Sequence, residues 1–206
     1  LASENRGRIR VVHRKERGRG TAGIAGLRYA MDQDVDGVIE MDADLSHDPR
    51  QIPEVLEKIK HHDVVIGSRF VGGSRSSRKP VRRLISDVAW IYTQLLLGRR
   101  IRDWSGGYKC YRREALRSLD FDAFRSEGYS IGMETLYRLT RKGFRCVEIP
   151  IEFTDIRKGK SKFSAKEILG YMITVLRLRL GTYARQSFLK IQKAKLMGSR
   201  RLGITI

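Results

Sequence analysis

A short apolar run that ends in two closely spaced carboxylates constrains this sequence more than any other feature. Residues 37–41 read GVIEM and are followed by Asp42, Ala43 and Asp44. An apolar run of this length predicts a buried strand, which the chain leaves at Asp42. Ligands of open α/β sheets bind at the carboxyl edge, and carboxylate oxygens suit Mg²⁺ or Mn²⁺. The pattern therefore predicts a metal–diphosphate site at Asp42 and Asp44.

A structural interpretation of the same residues stays open, because acidic and hydroxyl side chains also cap helices. Asp44, Ser46 and Asp48 precede Pro49, and proline is common at the first helical position. Under this interpretation the three side chains only begin a helix over 49–61, whose apolar residues recur at helical spacing.

The order of the predicted elements indicates an α/β fold. We predict strands at 9–13, 37–41 and 63–69, and helices at 21–31 and 49–61. Strands that alternate with helices favour right-handed βαβ units and a mostly parallel central sheet flanked by helices. We therefore predict one domain over 1–182 and a basic C-terminal tail over 183–206.

A glycine-rich stretch at 18–23, GRGTAG, matches the G-x-G-x-x-G pattern of dinucleotide-binding folds. In those folds the first glycine follows its strand directly, whereas residues 14–17 intervene here. We therefore interpret these glycines as a turn that leads into a helix.

The sequence is strongly basic, with a formal net charge of +19 at pH 7 and a pI near 10.4. Such a charge attracts nucleic acid, an anionic membrane face or phosphorylated small molecules. One segment concentrates cations without an intervening acid: Arg69, Arg75, Arg78, Lys79, Arg82 and Arg83. Its place after a predicted carboxyl-edge strand favours phosphate recognition, with a solvated linker as the alternative.

Two predicted helices, 84–97 and 166–180, are amphipathic, and the chain after the second is rich in Lys and Arg. Apolar faces next to basic residues favour an anionic membrane surface, whereas ordinary helices that face the core are the alternative. No stretch approaches eighteen uninterrupted apolar residues, so the sequence predicts peripheral association.

Several motifs together resemble family 2 glycosyltransferases of the dolichol-phosphate mannosyltransferase type. The D-x-D segment is MDADLSHDP at 41–49. The other matching motifs, in the order of that family, are GRGTA at 18–22, GSR at 67–69, DWSGGYK at 103–109 and GYSIGME at 128–134. The resemblance extends from about residue 9 to about residue 180.

The resemblance implies a GT-A fold and transfer of a sugar, most often from GDP-mannose, to a polyprenyl monophosphate. A UDP-glucose-dependent polyprenyl-phosphate glucosyltransferase is the alternative within the family. The acceptor phosphate is already mostly ionised at neutral pH, since its second pKa is about 6, so no general base is needed. Direct attack would invert the anomeric centre.

The resemblance also implies roles for individual residues. It places Mg²⁺ or Mn²⁺ at Asp42 and Asp44, and the nucleotide-sugar donor at these two residues and Ala43. Arg69 and Arg83 are expected to meet the lipid phosphate. The expected catalytic residues are Asp44, Arg69 and Arg83, and the expected further phosphate contacts are Arg157 and Lys162.

The sequence departs from the family pattern at three points. The family motifs P-x-Y-N-E and D-D-x-S, which bind the nucleotide base and ribose, do not occur, so we expect an N-terminally truncated domain with half of a donor site. Ser46 stands where some members carry a metal-binding Gln. In the segment DIRKGKSK at 155–162, Arg157 comes one position later than the corresponding family arginine.

We predict an enzyme that is peripheral on the cytoplasmic face of a membrane. The rivals from other classes are a basic nucleic-acid-binding module and an inactive remnant. The cations are scattered over loops rather than set on one recognition helix with stacking aromatics, so we predict no nucleic-acid partner. No pattern in the sequence specifies an oligomeric state.

Overall fold

A mixed sheet with helices on both faces forms the centre of the fold. The computed structural model describes residues 9–15, 18–76, 80–126, 128, 130–153 and 168–181. The helices are α1 (Arg19–Met31), α2 (Ile52–Ile59, after a 3-10 turn at Pro49–Gln51), α3 (Pro80–Leu97), α4 (Arg113–Arg117), α5 (Ser130–Arg141) and α6 (168–181). The strands are β1 (Gly37–Glu40), β2 (Val64–Ser68), β3 (Arg75–Ser76), β4 (Lys109–Arg112), β5 (Cys146–Pro150) and β6 (Glu152–Phe153).

The central sheet has the strand order β1–β4–β2–β5, and β3 pairs separately with β6. Strands β1, β2 and β5 run in one direction, whereas β4 lies between β1 and β2 and is antiparallel to both. The α/β class is confirmed, and the predicted parallel direction holds for three strands. The reversed β4 was not predicted, because it follows a glycine turn after α3 and the order of elements does not show where a late strand inserts.

The predicted strand at 9–13 is wrong. Residues 9–14 have no regular secondary structure, and Val11 and Val12 expose 59% and 50% of their surfaces. A strand is stabilised by side-chain burial and by a paired neighbour. Within the described chain this segment has little burial and no partner strand.

The two faces of the sheet pack on different helices because side chains alternate along each strand. On one face, Val64 and Tyr111 pack with apolar residues of α1, α4 and α5. On the other face, Val65 and Cys110 pack with Val55 of α2. Strand β2 is buried along its whole length, as expected for a strand with neighbours on both sides.

Helices α3 and α6 pack together but leave apolar side chains exposed. The Tyr92 hydroxyl donates to the Met172 carbonyl over 3.1 Å, and the hydroxyls of Thr93 and Tyr171 lie 2.7 Å apart. Exposed apolar residues recur at helical spacing on both helices: Leu84, Val88, Ile91 and Leu95 on α3, and Leu169, Ile173, Leu176 and Leu180 on α6. Of the helices that the structure describes, none has both the length and the apolar character needed to cross a membrane.

Candidate active site

The predicted D-x-D residues lie in the turn that follows β1. Asp42 is half-buried and Asp44 is exposed. The Ser46 backbone N–H and hydroxyl donate to Asp44 Oδ1 over 3.2 and 2.5 Å. Leu45, between them, has a φ of 63°, which turns the chain sharply. The turn therefore presents Asp44 to solvent in a defined orientation.

Asp48 has the capping role that was the alternative for this segment. Its Oδ1 accepts from the Arg50 backbone N–H over 2.9 Å at the start of the 3-10 turn. Asp44 does not cap a helix, since its carboxylate accepts from Ser46 within the preceding turn. The structure thus separates Asp48, a capping residue, from Asp42 and Asp44.

Asp42 and Asp44 have the chemistry of a site for a hard divalent cation. Mg²⁺ is usually held by one or two carboxylates together with water and substrate phosphates. Among the described residues there is no group of three or more His, Cys, Asp or Glu side chains that could enclose a metal. This donor set therefore suits a cation that is shared with a diphosphate.

The buried His47 ring supports the D-x-D turn by a hydrogen bond to its backbone. Its Nδ1 accepts the Asp42 backbone N–H over 3.1 Å, which places the ring proton of the neutral form on Nε2. The ring is buried, stacks on Tyr108 at 5.3 Å and meets Phe153 edge-on. Burial, which outweighs the opposing charge of Asp42, lowers the pKa of His47 below 6.5. We infer that a neutral imidazole holds Asp42 in position.

Arg69 lies in a buried ion pair with Asp103. Its Nε and Nη2 donate to the two Asp103 oxygens, each over 2.8 Å, and its backbone N–H donates to Oδ2 over 3.0 Å. Burial opposes ionisation of both groups, but their mutual attraction and hydrogen bonds dominate. The pKa of Asp103 is lowered to about 2, and that of Arg69 is raised, with a contribution from Asp42.

Within the described part of the chain, the ion pair leaves one nitrogen of Arg69 without a hydrogen-bond partner. Nη2 also donates to Ser105 Oγ over 2.8 Å, whereas Nη1 makes no hydrogen bond within the described part of the chain. The guanidinium lies 5.7 Å from the Phe70 ring centroid and 5.6 Å from that of Phe153. The side chain is 15% exposed, so its orientation is set before any ligand arrives.

The loop that carries Asp103 is itself anchored to the sheet and to α3. The backbone N–H groups of Arg102 and Asp103 each donate to the Glu148 carboxylate over 2.8 Å. Gln94 of α3 donates to the Ile101 and Arg102 carbonyls over 2.9 and 3.0 Å. These bonds fix Asp103, and through it Arg69, relative to the end of β2.

A cleft lies beside the turn, between β1, β4 and the first turns of α1 and α5. Glu40 and Lys109, which are opposite each other in the β1–β4 ladder, both line it. The Glu40 carboxylate accepts from the Tyr111 hydroxyl over 3.3 Å, and Lys109 is buried and donates to the Gly106 carbonyl.

The remaining predicted site residues are distributed as follows. Ala43 is exposed in the turn between the two aspartates. Arg83 lies near the start of α3, and the structure describes only its backbone. Arg157, Lys162 and the tail at 183–206 lie outside the described residues. Of the predicted site residues, Asp42 lies near enough to Arg69 for its charge to contribute to the raised pKa of Arg69.

Several side chains of this site were not identified as functional from the sequence. Asp103 and Lys109 lie within the quoted motif DWSGGYK, and His47 lies within the D-x-D segment, but the sequence assigns no functional role to any of the three. A usable signal was the repeated Asp-x-Ser spacing, at 44–46 and again at 103–105. The first of these turns follows β1 and the second precedes β4, which is antiparallel to β1, so both turns lie at one edge of the sheet.

Residues 1–120 match the family described as glycosyl transferase family 2, and the chain belongs to this family. It is 39% identical over 171 residues to undecaprenyl-phosphate mannosyltransferase of Micrococcus luteus. The aligned region covers 82% of this chain and 70% of that protein. It is 38% identical over 178 residues to polyprenol monophosphomannose synthase of Mycolicibacterium smegmatis, with 85% and 67% coverage.

The fold resembles that of solved GT-A enzymes. Glucosyl-3-phosphoglycerate synthase from Mycobacterium tuberculosis, in complex with Mn²⁺, UDP-glucose and glycerol 3-phosphate, superposes with a TM-score of 0.51 at 18% identity. The match covers 82% of this chain and 56% of that chain. The chain thus spans a little over half the length of this solved relative. The predicted GT-A fold is confirmed.

Proposed function

We propose that the chain transfers a mannosyl group, with inversion, from GDP-mannose to a polyprenyl monophosphate at a membrane surface. The juxtaposition of the Asp42–Asp44 turn with the ion-paired Arg69 carries the proposal. It combines a site for a metal-bound diphosphate with a cation that is already oriented. Both curated relatives described above are named for mannosyl transfer to, or synthesis on, a polyprenyl carrier.

The donor half of the reaction belongs to the turn after β1. Asp42 and Asp44 would hold Mg²⁺ or Mn²⁺, and with Ala43 they would bind the donor diphosphate. The cation, when bound, neutralises charge that develops on the departing nucleoside diphosphate. The Ser46 hydroxyl donates to Asp44 and orients it. The His47 ring accepts the backbone N–H of Asp42 and orients that residue.

The acceptor half belongs to the cations beyond β2. Arg69 Nη1 would donate to the acceptor phosphate, while Nε and Nη2 stay on Asp103. Arg83, Arg157 and Lys162 would add charge around the same phosphate. Positioning the phosphate and reducing its repulsion from the donor supplies the catalysis, because the nucleophile is already ionised at neutral pH.

The membrane contact belongs to α3 and α6. Leu95 of α3 and Leu169 of α6 expose 72% and 60% of their surfaces, and apolar rows of this kind suit a membrane interface. The basic tail would add attraction to an anionic leaflet on the cytoplasmic face. Leu95→Glu should therefore weaken cosedimentation with anionic vesicles, whereas Leu56→Glu, on an exposed site of α2, should not.

The decisive experiment measures transfer of labelled sugar into the organic phase with polyprenyl phosphate as acceptor. GDP-mannose and UDP-glucose are compared as donors, with and without a chelator, using this chain and the natural reading frame that contains it. We expect transfer from GDP-mannose that the chelator abolishes and that Asp44→Asn lowers about 10²- to 10³-fold, as for other electrostatic contributors. Asp32→Asn, an exposed aspartate at the end of α1, is the matched control.

Each alternative gives a different result in that assay. Transfer from UDP-glucose alone would identify a polyprenyl-phosphate glucosyltransferase. The absence of transfer from both donors in both proteins would contradict the proposal and favour an inactive remnant. Tight, salt-sensitive binding to DNA or RNA without metal-dependent nucleotide binding would favour a nucleic-acid-binding module.

A further inference from the structure

Glu148 of β5 holds two consecutive backbone N–H groups of the loop that carries Asp103. Its Oε2 accepts from the Arg102 N–H and its Oε1 accepts from the Asp103 N–H, each over 2.8 Å. Hydrogen bonds to a carboxylate are charge-assisted and stronger than bonds between neutral groups. Both oxygens of the half-buried Glu148 side chain are therefore used to fix the backbone of this loop.

The peptide group between Arg102 and Asp103 is held on its other edge by α3. The Arg102 carbonyl accepts from Gln94 Nε2 over 3.0 Å and from Trp90 Nε1 over 2.8 Å. Because a peptide group is planar, hydrogen bonds on both of its edges fix the orientation of the whole group. The direction in which the next residue, Asp103, presents its side chain is fixed with it.

The side chain of Asp103 in turn sets the position of Arg69. Asp103 is completely buried and accepts from Arg69 Nε and Nη2, each over 2.8 Å. The loop also packs closely against the end of β2, since a Cβ on Gly106 would lie 3.1 Å from the Gly67 carbonyl oxygen. A series of contacts thus runs from Glu148 through the fixed peptide group and Asp103 to the guanidinium.

The strand order places this series of contacts on the acceptor side of the site. β5 pairs with β2 in parallel, with Glu148 opposite Ile66 and Pro150 opposite Ser68, the residue before Arg69. The D-x-D turn follows β1, which is two strands further away because β4 lies between β1 and β2. A change at Glu148 therefore acts on the end of β2 rather than on the turn after β1.

We propose that Glu148 is a positioning residue for the polyprenyl-phosphate acceptor and that it acts on Arg69 through Asp103. The inference rests on the proposed function, because it needs Arg69 to meet the acceptor phosphate. Glutamine at position 148 would offer one acceptor oxygen and turn its NH₂ group towards the second N–H of the loop. One of the two bonds is then lost and two donors face each other, so the guanidinium no longer has a single fixed position.

The test measures steady-state sugar transfer by the natural reading frame that contains this chain, with the nucleotide sugar and polyprenyl phosphate varied in turn. In Glu148→Gln we expect KM for polyprenyl phosphate to rise about tenfold, the scale of one lost hydrogen bond to a charged group, with KM for the nucleotide sugar unchanged. Gln94→Leu releases the other edge of the same peptide group. It should raise the same KM by about two- to fivefold, because its bonds join neutral groups.

Asp63→Asn is the matched control for a loss of stability without a loss of positioning. The Asp63 carboxylate accepts the Arg145 N–H over 2.7 Å and so joins the residues that precede β2 and β5, at the starts of both strands. Asp63→Asn and Glu148→Gln should both lower the thermal unfolding midpoint, but only Glu148→Gln should change KM for the acceptor.

Arg69→Lys tests the route by which Glu148 acts. Lysine keeps a positive charge beside Asp103 but lacks the planar, forked guanidinium, so this variant should itself raise KM for polyprenyl phosphate. If Glu148 acts through the guanidinium, Glu148→Gln in the Arg69→Lys background should raise that KM by less than about twofold further.

The outcomes separate this inference from the proposed function. Wild-type transfer, with KM values in Glu148→Gln that stay unchanged or rise equally for both substrates, would overturn the positioning role alone. A further tenfold effect in the Arg69→Lys background, or an acceptor KM that rises as much in Asp63→Asn, would also overturn it. Wild-type protein that transfers sugar from neither GDP-mannose nor UDP-glucose would contradict the proposed function, and the positioning role would fall with it.

Discussion

The same Asp-x-Ser turn occurs twice at this site, with different outcomes. In both turns the serine backbone N–H donates to the aspartate Oδ1 over 3.2 Å, and the serine hydroxyl donates to the same oxygen over 2.5 Å at Asp44 and 3.3 Å at Asp103. Asp44 is exposed after β1. Asp103 is completely buried and bonded to Arg69 over 2.8 Å.

The difference shows that the chemistry of an aspartate is set by its tertiary surroundings rather than by its local turn. Asp103 has its charge neutralised by a guanidinium, and its pKa of about 2 keeps it ionised. It is therefore suited to positioning Arg69. Asp44 faces water, where a hydrated cation can approach and exchange ligands with it. One turn motif thus orients a basic side chain in one loop and, in the other, presents an exposed carboxylate, which is the proposed metal ligand.

The largest contrast is expected when each acid is neutralised in turn. Asp103→Asn leaves Arg69 buried without its counter-charge, so we expect a loss of about 3–5 kcal/mol in the free energy of unfolding. Asp44→Asn alters an exposed position and should change stability by no more than about 0.5 kcal/mol. Urea unfolding followed by circular dichroism measures both. Equal losses of stability in the two variants would contradict the difference in role between the exposed Asp44 and the buried, ion-paired Asp103.

The second prediction separates the stability of the Arg69–Asp103 pair from its function. Arg69→Met and Asp103→Leu should each cost about 3–5 kcal/mol, because each leaves one buried charge unpaired, whereas the double variant should regain most of that loss. Sugar transfer should stay low in the double variant, since no guanidinium remains to meet the acceptor phosphate. A double variant as unstable as the sum of the single variants, or one with restored transfer, would contradict this.

The two loops also differ in how well the sequence predicted them. The position of the D-x-D turn was predictable, because an apolar run that ends in carboxylates indicates the end of a strand. The pairing of Arg69 with Asp103 was not, since the two residues are 34 positions apart and are brought together by β4, whose reversed insertion the order of elements does not reveal.

The same distinction applies to the helices and to His47. Helices α2 and α3 were predictable from apolar spacing, which is local information. His47 has no partner at a recognisable spacing in the sequence, because its ring neighbours are Tyr108, just before β4, and Phe153 of β6, both distant along the chain. Local sequence patterns therefore do not predict those side chains of the site whose partners are distant in the sequence.

The third prediction is that acid affects the two loops at different pH. The pKa of His47 is lowered on folding, so the unfolded chain binds more protons there, and stability should fall as the pH drops below about 6.5. The pKa of Asp103 is also lowered, from 3.8 to about 2, so its contribution is lost only between about pH 4 and pH 2. Thermal unfolding midpoints measured between about pH 8 and about pH 2 report both losses.

His47→Asn should remove the loss of stability below about pH 6.5 and leave the loss between about pH 4 and pH 2. The reason is that an amide oxygen can accept the Asp42 N–H but does not titrate. His61→Asn is the control, because His61 is exposed in the turn after α2. A first loss that persists in His47→Asn, or that disappears in His61→Asn, would assign it to another group.

The smallest expected effects come from the two serines, and they address the comparison most directly. Ser46→Ala and Ser105→Ala each remove one hydroxyl, so each should cost only about 0.5–1.5 kcal/mol. Their kinetic effects should diverge: Ser46→Ala should raise KM for the nucleotide sugar about two- to tenfold, because Asp44 loses the hydroxyl bond and keeps only the bond from the Ser46 backbone N–H. Ser105→Ala should instead raise KM for the polyprenyl phosphate by a similar factor, because Arg69 loses a contact. If both variants changed the same KM, the two turns would serve one substrate, and the division into a donor loop and an acceptor loop would be wrong.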